Sequence, residues 1–252
     1  TGLKSVYIPG TITLIEDLAF SECSILTSIV VEVSNTMYKS VDGVLFDKDQ
    51  YLLIQYPSGK AGSYRIPNGT GGIGRESFYS CKFLSRIEMP DDVQFIGELA
   101  FGYCTALESV ELSKDIVDIG YAAFAGCTAL SGIRIPDGVA KLQGYTFSGC
   151  TNLTVVDLPK NLSVLDECVF QNDSALAKLL FRGTVPSIKD DTFIGVDHAT
   201  VLFSNGSAGW ENSFDGLPTV YWNPTFQNAG VGPINSGAVF HVDVQGNAGI
   251  PV

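Results

Sequence analysis

The sequence predicts a right-handed solenoid, in which short coils of the chain stack side by side, and three observations support this fold class. A phenylalanine recurs every 23 residues, at Phe78, Phe101, Phe124, Phe147, Phe170 and Phe193. A cysteine follows three residues later in four repeats, at Cys81, Cys104, Cys127 and Cys150. A leucine follows six residues after the phenylalanine, at Leu84, Leu107, Leu130, Leu153 and Leu176. A fixed period of about 20–29 residues around an L-x-x-V-x-L core is typical of a leucine-rich repeat solenoid.

Each repeat contains one predicted strand, in which apolar residues lie two positions apart. Examples are the pairs Val6/Ile8, Ile29/Val31 and Ile87/Met89. Alternation with a period of two places these side chains inward and the residue between them outward. Because the coils stack in register, the strands are expected to form a parallel β-sheet on the concave face.

The rest of each coil is the return segment on the convex side, which we expect to consist of irregular or short helical turns. Two apolar positions precede the phenylalanine, at eight and five residues, as in Val93 and Ile96. Four repeats have a residue suited to a left-handed turn two positions after it, namely Gly126, Gly149, Asn172 and Gly195. Such residues adopt positive φ at little cost.

One repeat carries an insertion at about residues 33–63. Phe20 and Phe78 are 58 residues apart, which is not a multiple of 23. The apolar runs 44–46 and 51–54 flank the polar residues 47–50, which predicts a β-hairpin with a four-residue turn. We interpret this segment as an enlarged repeat with a projecting hairpin.

The repeat pattern predicts a solenoid over residues 1–203, and residues 204–252 form either its C-terminal cap or the start of a further β module. A terminal coil needs a cap because its open face is apolar. Trp210, Phe214 and Leu217 are the candidates for that cap. Residues 219–222 and 239–244 are two further predicted strands.

Five of the six cysteines occupy one repeat position, which predicts buried free thiols. These are Cys23, Cys81, Cys104, Cys127 and Cys150. Equivalent side chains in adjacent coils point in parallel, which suits a ladder of small buried groups better than disulfides. Asp173 and Val196 replace cysteine at this position in later coils, which argues against a metal site. Cys168 lies outside the register and is predicted to be the reactive thiol.

Composition and motifs exclude several functional classes. The net charge of −12 disfavours nucleic acid and anionic membrane surfaces as partners. No run of 18 apolar residues predicts a membrane span. The only two histidines, His198 and His241, have no metal-ligand partner at a suitable spacing, and no nucleophile elbow is present. We therefore expect no enzymatic activity, no cofactor and no metal. The chain starts at Thr1 without a signal peptide, which we interpret as processing.

The outward positions of the predicted strands form the candidate binding site. Neighbouring strands stand about 4.8 Å apart, so these residues make a charged, net acidic column. It consists of Arg65, Glu88, Glu111, Arg134 and Asp157. One interpretation is a polar binding strip; the other is a solvated face on which Arg134 bridges Glu111 and Asp157. The hairpin turn at residues 47–50 is a second candidate site.

The repeat resembles the BspA-like class of leucine-rich repeat proteins, with the pattern IP..V..IG..AF..C..L..I.LP. Residues 133–139 (IRIPDGV) and 117–127 (VDIGYAAFAGC) carry the pattern, and residues 42–46 (DGVLF) and 56–60 (YPSGK) match a variant unit. The resemblance covers about residues 1–203. It implies a secreted or surface-attached bacterial protein, because many members are adhesins, and it supplies no catalytic residues.

These observations lead to one functional expectation and two alternatives. We expect a non-enzymatic extracellular recognition protein that binds a host matrix or other cell-surface protein on its concave face. The first alternative is a glycan-binding module that uses Tyr7, Trp210 or Trp222 as stacking platforms. The second is a structural spacer of a larger surface protein.

Overall fold

A computed structural model describes residues 2–16, 18–20, 23–204 and 208–222. They form a β-solenoid of about 9 turns with parallel strands. In chain order the strands are β1 (Ser5–Ile8), β2 (Ser28–Val31), β3 (Tyr38–Val41), β4 (Val44–Asp47), β5 (Leu52–Gln55), β6 (Gly62–Arg65), β7 (Gly72–Ile73), β8 (Leu84–Glu88), β9 (Phe95–Ile96), β10 (Ser109–Glu111), β11 (Asp118–Ile119), β12 (Gly132–Arg134), β13 (Lys141–Leu142), β14 (Val155–Leu158), β15 (Val164–Leu165), β16 (Lys178–Phe181), β17 (Ser187–Ile188), β18 (Thr200–Ser204), β19 (Ser213–Phe214) and β20 (Leu217–Trp222).

The longer strands form what we call the main sheet, which carries the candidate site. It comprises the parallel ladders β1–β2, β6–β8–β10 and β12–β14–β16–β18–β20. Equivalent residues stand side by side: Ile87 beside Val110, and Val156 beside both Ile133 and Leu179. All five of these apolar side chains are buried, so the inward orientation predicted by the period-two pattern is confirmed.

The two-residue strands β7, β9, β11, β13, β15 and β17 form the return sheet on the opposite side of each coil. We expected irregular or short helical turns there, and the helical form is not found, since none of the described residues is helical. The turn around each phenylalanine shows the reason. Positive φ occurs two residues before and two residues after it, as at Leu99 and Tyr103 around Phe101. A right-handed helix cannot accommodate such residues.

The alternating left-handed residues direct backbone amides along the solenoid. The amides of Leu99, Phe101 and Tyr103 donate to carbonyls of the next coil at 2.9, 2.8 and 2.7 Å. Each turn thereby satisfies its buried backbone groups between coils rather than within a helix. The predicted left-handed residues after the phenylalanine, Gly126, Gly149, Asn172 and Gly195, are confirmed.

The repeated phenylalanines form one continuous stack through the core. Neighbouring ring centroids from Phe78 to Phe193 lie between 4.7 and 5.8 Å apart. Tyr56 continues the stack in the enlarged repeat, with its ring 4.9 Å from that of Phe78. The sequence pattern missed Tyr56, because it is a tyrosine and lies 22 residues before Phe78 instead of 23.

The insertion contributes three strands at the edge of the return sheet. Strands β3 and β4 pair antiparallel, and so do β4 and β5, with an irregularity between Leu45 and Phe46. Strand β5 then pairs parallel with β7, which aligns Leu53 with Ile73. Both Leu45 and Phe46 are fully buried, so the insertion extends the sheet and its core.

The cysteine ladder is confirmed: all six cysteines lie in the described part of the chain, all are buried, and none forms a disulfide. The thiols of Cys104, Cys127 and Cys150 donate to the carbonyl of the phenylalanine one coil back, at 3.0, 3.1 and 3.1 Å. Cys168 is 5% exposed, with φ of 55°. Its burial removes the solvent access that a reactive thiol needs.

One junction in the middle of the stack has fewer hydrogen bonds than the junctions on either side of it. The main sheet is interrupted between β10 and β12, and the return sheet between β11 and β13, at the same level of the stack. The amides of Met89 and Ile135 reach the next coil's carbonyls at 3.1 and 2.8 Å, but among the described hydrogen bonds the equivalent one from Leu112 is missing. The Phe124 amide still donates across the junction at 2.9 Å. We call this junction the seam.

The C-terminal coil is covered by aromatic residues. Strand β20 pairs parallel with β18, and β19 folds back antiparallel on β20. The Trp210 ring lies 4.8 Å from Phe181, 5.4 Å from Phe203 and 5.2 Å from Phe214. The domain boundary at residue 203 stays a prediction. The predicted strand at 239–244 lies outside the described residues.

Candidate binding surface on the main sheet

The five predicted site residues all stand on strands of the main sheet. Arg65, Glu88 and Glu111 are aligned on the adjacent strands β6, β8 and β10. Arg134 and Asp157 are aligned on β12 and β14. The seam separates the two groups, because β10 and β12 are not paired. Within each group, parallel pairing at a 23-residue period holds the side chains in one column.

The group on the N-terminal side of the seam is a chain of ion pairs. Arg86 contacts Glu88 through Nε at 3.2 Å and contacts Glu111 through Nη2. Arg65 is farther from its partner, with 3.7 Å between its Nε and Glu88 Oε2. Arg86 is therefore the central cation of this group. Arg86 lies two residues before Glu88 on β8, beside the predicted strip, and is aligned with Ser109 on β10.

The group on the C-terminal side is built around Asp157. Its carboxylate lies 2.9 Å from Arg182 Nε and 3.5 Å from Arg134 Nε, and Arg182 Nη2 is 3.3 Å from Asp137. Burial raises the pKa of Asp157, and the guanidinium groups of Arg182 and Arg134 offset that effect only in part. The seam explains why Arg134 bridges to Asp157 but not to Glu111, as one interpretation of the sequence had it.

The five predicted residues carry two positive and three negative charges, but further charged side chains contact them. Arg182 and Asp137 were not predicted as site residues, because both lie outside the strand positions that the repeat pattern marks. With Arg86 and Arg182 included, the four arginines face four carboxylates. The two groups are then electrically balanced, in a protein whose net charge is −12. The main sheet is thus less negative than the rest of the molecule.

The arginines and the carboxylates differ in exposure. The side chains of Arg65 and Arg134 are 82% and 61% exposed, whereas those of Glu88 and Asp157 are 34% and 15% exposed. In both exposed arginines, Nε is the atom recorded in contact with the carboxylate. Among the described residues, neither arginine donates a hydrogen bond from its terminal Nη1 or Nη2 atom. Of the charged side chains in the two groups, those of Arg65 and Arg134 are therefore the most exposed.

The second candidate site, at residues 47–50, consists of groups that hold the turn together. Asp47 Oδ1 accepts the Leu52 amide at 3.0 Å, and Gln50 Nε2 donates to the Asn68 carbonyl at 3.2 Å. Lys48 Nζ donates to the carbonyl of Asn35. Three of the four side chains in the turn are thus engaged in intramolecular contacts.

The aromatic residues suggested as glycan platforms differ in accessibility. Tyr7 is 60% exposed, beside a cavity of about 480 Å³ at the open face of the first coil. Trp210 is packed into the C-terminal aromatic cluster, and its Nε1 donates to the Gly183 carbonyl at 3.2 Å. Trp222 is partly buried, which leaves Tyr7 as the accessible ring of the three.

The described residues also bear on metal binding and on membrane insertion. No group of three or more His, Cys, Asp or Glu side chains in them is arranged to hold a metal ion. The same residues include no helix with the length and apolar character needed to span a membrane.

Comparison with known proteins identifies the family. The model of the BspA type leucine-rich repeat region matches residues 1–50 and 71–199, with six copies. This match covers more than half of the chain. The chain belongs to the BspA-type leucine-rich repeat family. The resemblance inferred from the repeat motif is therefore confirmed.

Solved structures similar to this BspA-type protein are bacterial leucine-rich repeat proteins. The pneumococcal vaccine antigen PcpA is 27% identical with a TM-score of 0.76, over 81% of this chain and 51% of that chain. A leucine-rich cell surface protein of Faecalibacterium prausnitzii is 36% identical with a TM-score of 0.67, over 71% of this chain and 48% of that chain. A leucine-rich repeat protein of Eubacterium ventriosum, 24% identical with a TM-score of 0.60, shares the fold.

The BspA-type protein spans about half the length of the first two neighbours. No protein of curated function matches it. The family and its structural neighbours are repeat scaffolds, and nothing in them indicates an enzyme.

Proposed function

We propose that this protein is a non-enzymatic, extracellular, adhesin-like recognition module that binds a partner protein on its main sheet. The observation that carries the proposal is the charged column of the main sheet. Parallel pairing fixes Arg65, Glu88 and Glu111 in one row and Arg134 and Asp157 in another, all on a solvent-facing surface. Solenoids offer extended surfaces of this kind to partners.

The bacterial surface location is proposed on the strength of the relatives. One structural neighbour is a cell surface protein and another is a vaccine antigen. A host matrix protein or another cell-surface protein is the partner that such a location favours. Cysteines without disulfides are compatible with an extracellular location, because all six side chains are buried and shielded from oxidants.

A binding assay with a matched pair of surface variants tests the proposed function. The immobilised chain is incubated with purified host matrix proteins and with polysaccharides. Ser109→Tyr places a bulky ring in the middle of the main sheet, whereas Val117→Tyr places the same ring on the return side, where Val117 is 60% exposed.

The proposal predicts that a matrix protein binds the unmodified chain and the Val117→Tyr variant but not the Ser109→Tyr variant. Equal binding to both variants excludes the main sheet as the binding surface. Selective capture of a polysaccharide, lost in Tyr7→Ala, favours the glycan-binding alternative. No binding of any kind favours the spacer.

A further inference from the structure

The four arginines of the main sheet fall into two classes. Arg86 and Arg182 hold carboxylates with their terminal nitrogens, through Arg86 Nη2 to Glu111 and Arg182 Nη2 to Asp137. Arg65 and Arg134 contact their carboxylates with Nε and extend into solvent. A guanidinium presents two parallel N–H donors along its outer edge, which match the two oxygens of a carboxylate. Arg65 and Arg134 thus each retain an unused bidentate fork.

The carboxylates of this surface stand behind the arginines. Glu88 is 34% exposed and Asp157 is 15% exposed, so a molecule approaching the sheet meets the two forks first. The local charge is also balanced, because each exposed arginine stands over a carboxylate. Carboxylates of a partner can therefore accept hydrogen bonds from the two arginines at this surface. Elsewhere the net negative charge of the protein would repel them.

The distance between the two forks limits the form of the partner. Arg65 and Arg134 are three coils apart on the main sheet, and at about 4.8 Å per paired coil this corresponds to a separation of about 14 Å or slightly more, since the strands at the seam are not paired. An extended peptide advances about 3.4 Å per residue and directs every second side chain to the same face. Side chains at positions i and i+4 of such a peptide are therefore about 14 Å apart and share one face.

We propose that Arg65 and Arg134 bind two carboxylates, four residues apart, in an extended acidic segment of the partner protein. The segment lies across the strands of the main sheet and passes over the seam. This inference rests on the proposed function and adds the chemistry of the partner. A densely charged polyanion fits less well, because a net charge of −12 repels it over its whole length, whereas two isolated carboxylates meet only the two forks.

Three nine-residue peptides of otherwise neutral sequence test the inference. The first has Glu at positions 3 and 7, the second has Gln at both, and the third has Glu at the adjacent positions 3 and 4. Fluorescence anisotropy with the 252-residue chain at low ionic strength measures the dissociation constants. We expect the first peptide to bind about tenfold or more tightly than either control.

Matched protein variants link the peptide binding to the two arginines. Arg65→Gln/Arg134→Gln removes both forks, and Lys82→Gln/Lys160→Gln removes two positive charges at other exposed positions. We expect only the arginine variant to lose the preference for the first peptide. Both arginines are exposed, so thermal denaturation should show that the variant folds normally. Equal affinity for all three peptides, or an equal loss in both variants, overturns the inference.

Binding of the captured partner protein to two variants distinguishes a failure of this inference from a failure of the proposed function. If Ser109→Tyr abolishes its binding and Arg65→Gln/Arg134→Gln does not, the main sheet is the binding surface but the acidic-segment inference is wrong. If neither variant affects the binding, the proposed function itself fails.

Discussion

Asp173 Oδ1 accepts the backbone amide of Cys150 at 2.8 Å, in the repeat position that holds a thiol in the preceding coils. Asp173 is fully buried, and its Oδ2 has no hydrogen-bond partner. Burial raises the pKa of this carboxyl to about 8, although the amides of Cys150 and Gly149 partly stabilise the ionised form. A neutral carboxylic acid can donate from Oδ2, as the thiol does in the other coils.

The first prediction concerns the pH dependence that Asp173 confers. Its pKa is raised on folding, so its stabilising contribution is complete below about pH 4 and is lost as the pH rises to about 8. The free energy of unfolding should fall by up to about 1.4 kcal/mol per pH unit in this window from this group alone. Chemical denaturation between pH 4 and 9, compared with Asp173→Asn, measures that contribution.

Controls for this prediction are available in the same chain. Asp173→Cys restores the thiol of the ladder and should be more stable than the unmodified protein at pH 8. Asp190→Asn removes the carboxylate of an exposed aspartate and serves as the matched control. A pH profile of Asp173→Asn that parallels the unmodified protein would contradict the assignment.

The second prediction concerns Asp166, whose pKa shift has the opposite sign. Burial alone would raise the pKa of Asp166, but hydrogen bonds from Lys141 at 2.8 Å and from Lys189 lower it to about 2. Its contribution is therefore present above about pH 4 and is lost as the pH falls through 2. Asp166→Asn should lower the free energy of unfolding at pH 6. At pH 2 the free energies of unfolding of the variant and the unmodified protein should differ less than at pH 6.

The third prediction concerns the phenylalanine stack. Phe124 is fully buried between the rings of Phe101 and Phe147, at 5.2 and 5.6 Å. Phe124→Ala should lower the free energy of unfolding by about 3–5 kcal/mol, because the rigid coils on both sides leave a cavity. Phe20, in the first coil, is only partly buried, and Phe20→Ala should cost less. Equal losses in urea denaturation would argue against a stack of coupled coils.

The fourth prediction concerns the seam between coils. The amides of Leu112 and Gln143 have no partner among the described hydrogen bonds. Their hydrogen exchange should be faster than that of the equivalent amides in neighbouring coils, Met89 and Asp166. The latter two donate to the next or previous coil at 3.1 and 3.0 Å. Exchange followed by NMR or mass spectrometry under native conditions measures local opening. Equal exchange rates at the two pairs of amides would show that the seam is as stable as the other junctions.

The fold was predictable from the sequence because its core residues repeat at a fixed spacing. The positions of Phe101, Phe124 and Cys127 follow directly from the 23-residue period. Tyr56 escaped the pattern because the insertion changed both the residue type and the spacing. The left-handed residues before each phenylalanine were also missed. They include Glu76, Leu99, Ala122 and Tyr145, whose side chains give no indication of positive φ.

The candidate site was predictable only as a set of positions. Strand alternation placed Arg65, Glu88 and Glu111 on one surface, since period two assigns every residue of a strand to a face. It did not reveal which charges pair, because side-chain reach and the spacing of coils at the seam decide that. Arg182 lies one residue beyond β16 and reaches Asp157 on the neighbouring strand, a contact that no local pattern encodes.

The most direct test of the central claim is a hydrogen-exchange footprint of the protein bound to its captured partner protein. Binding on the main sheet should slow exchange in β8, β10, β12 and β14 and leave exchange in β9, β11, β13 and β15 of the return sheet unchanged. Protection confined to the return sheet or to the turn at residues 47–50 would contradict it.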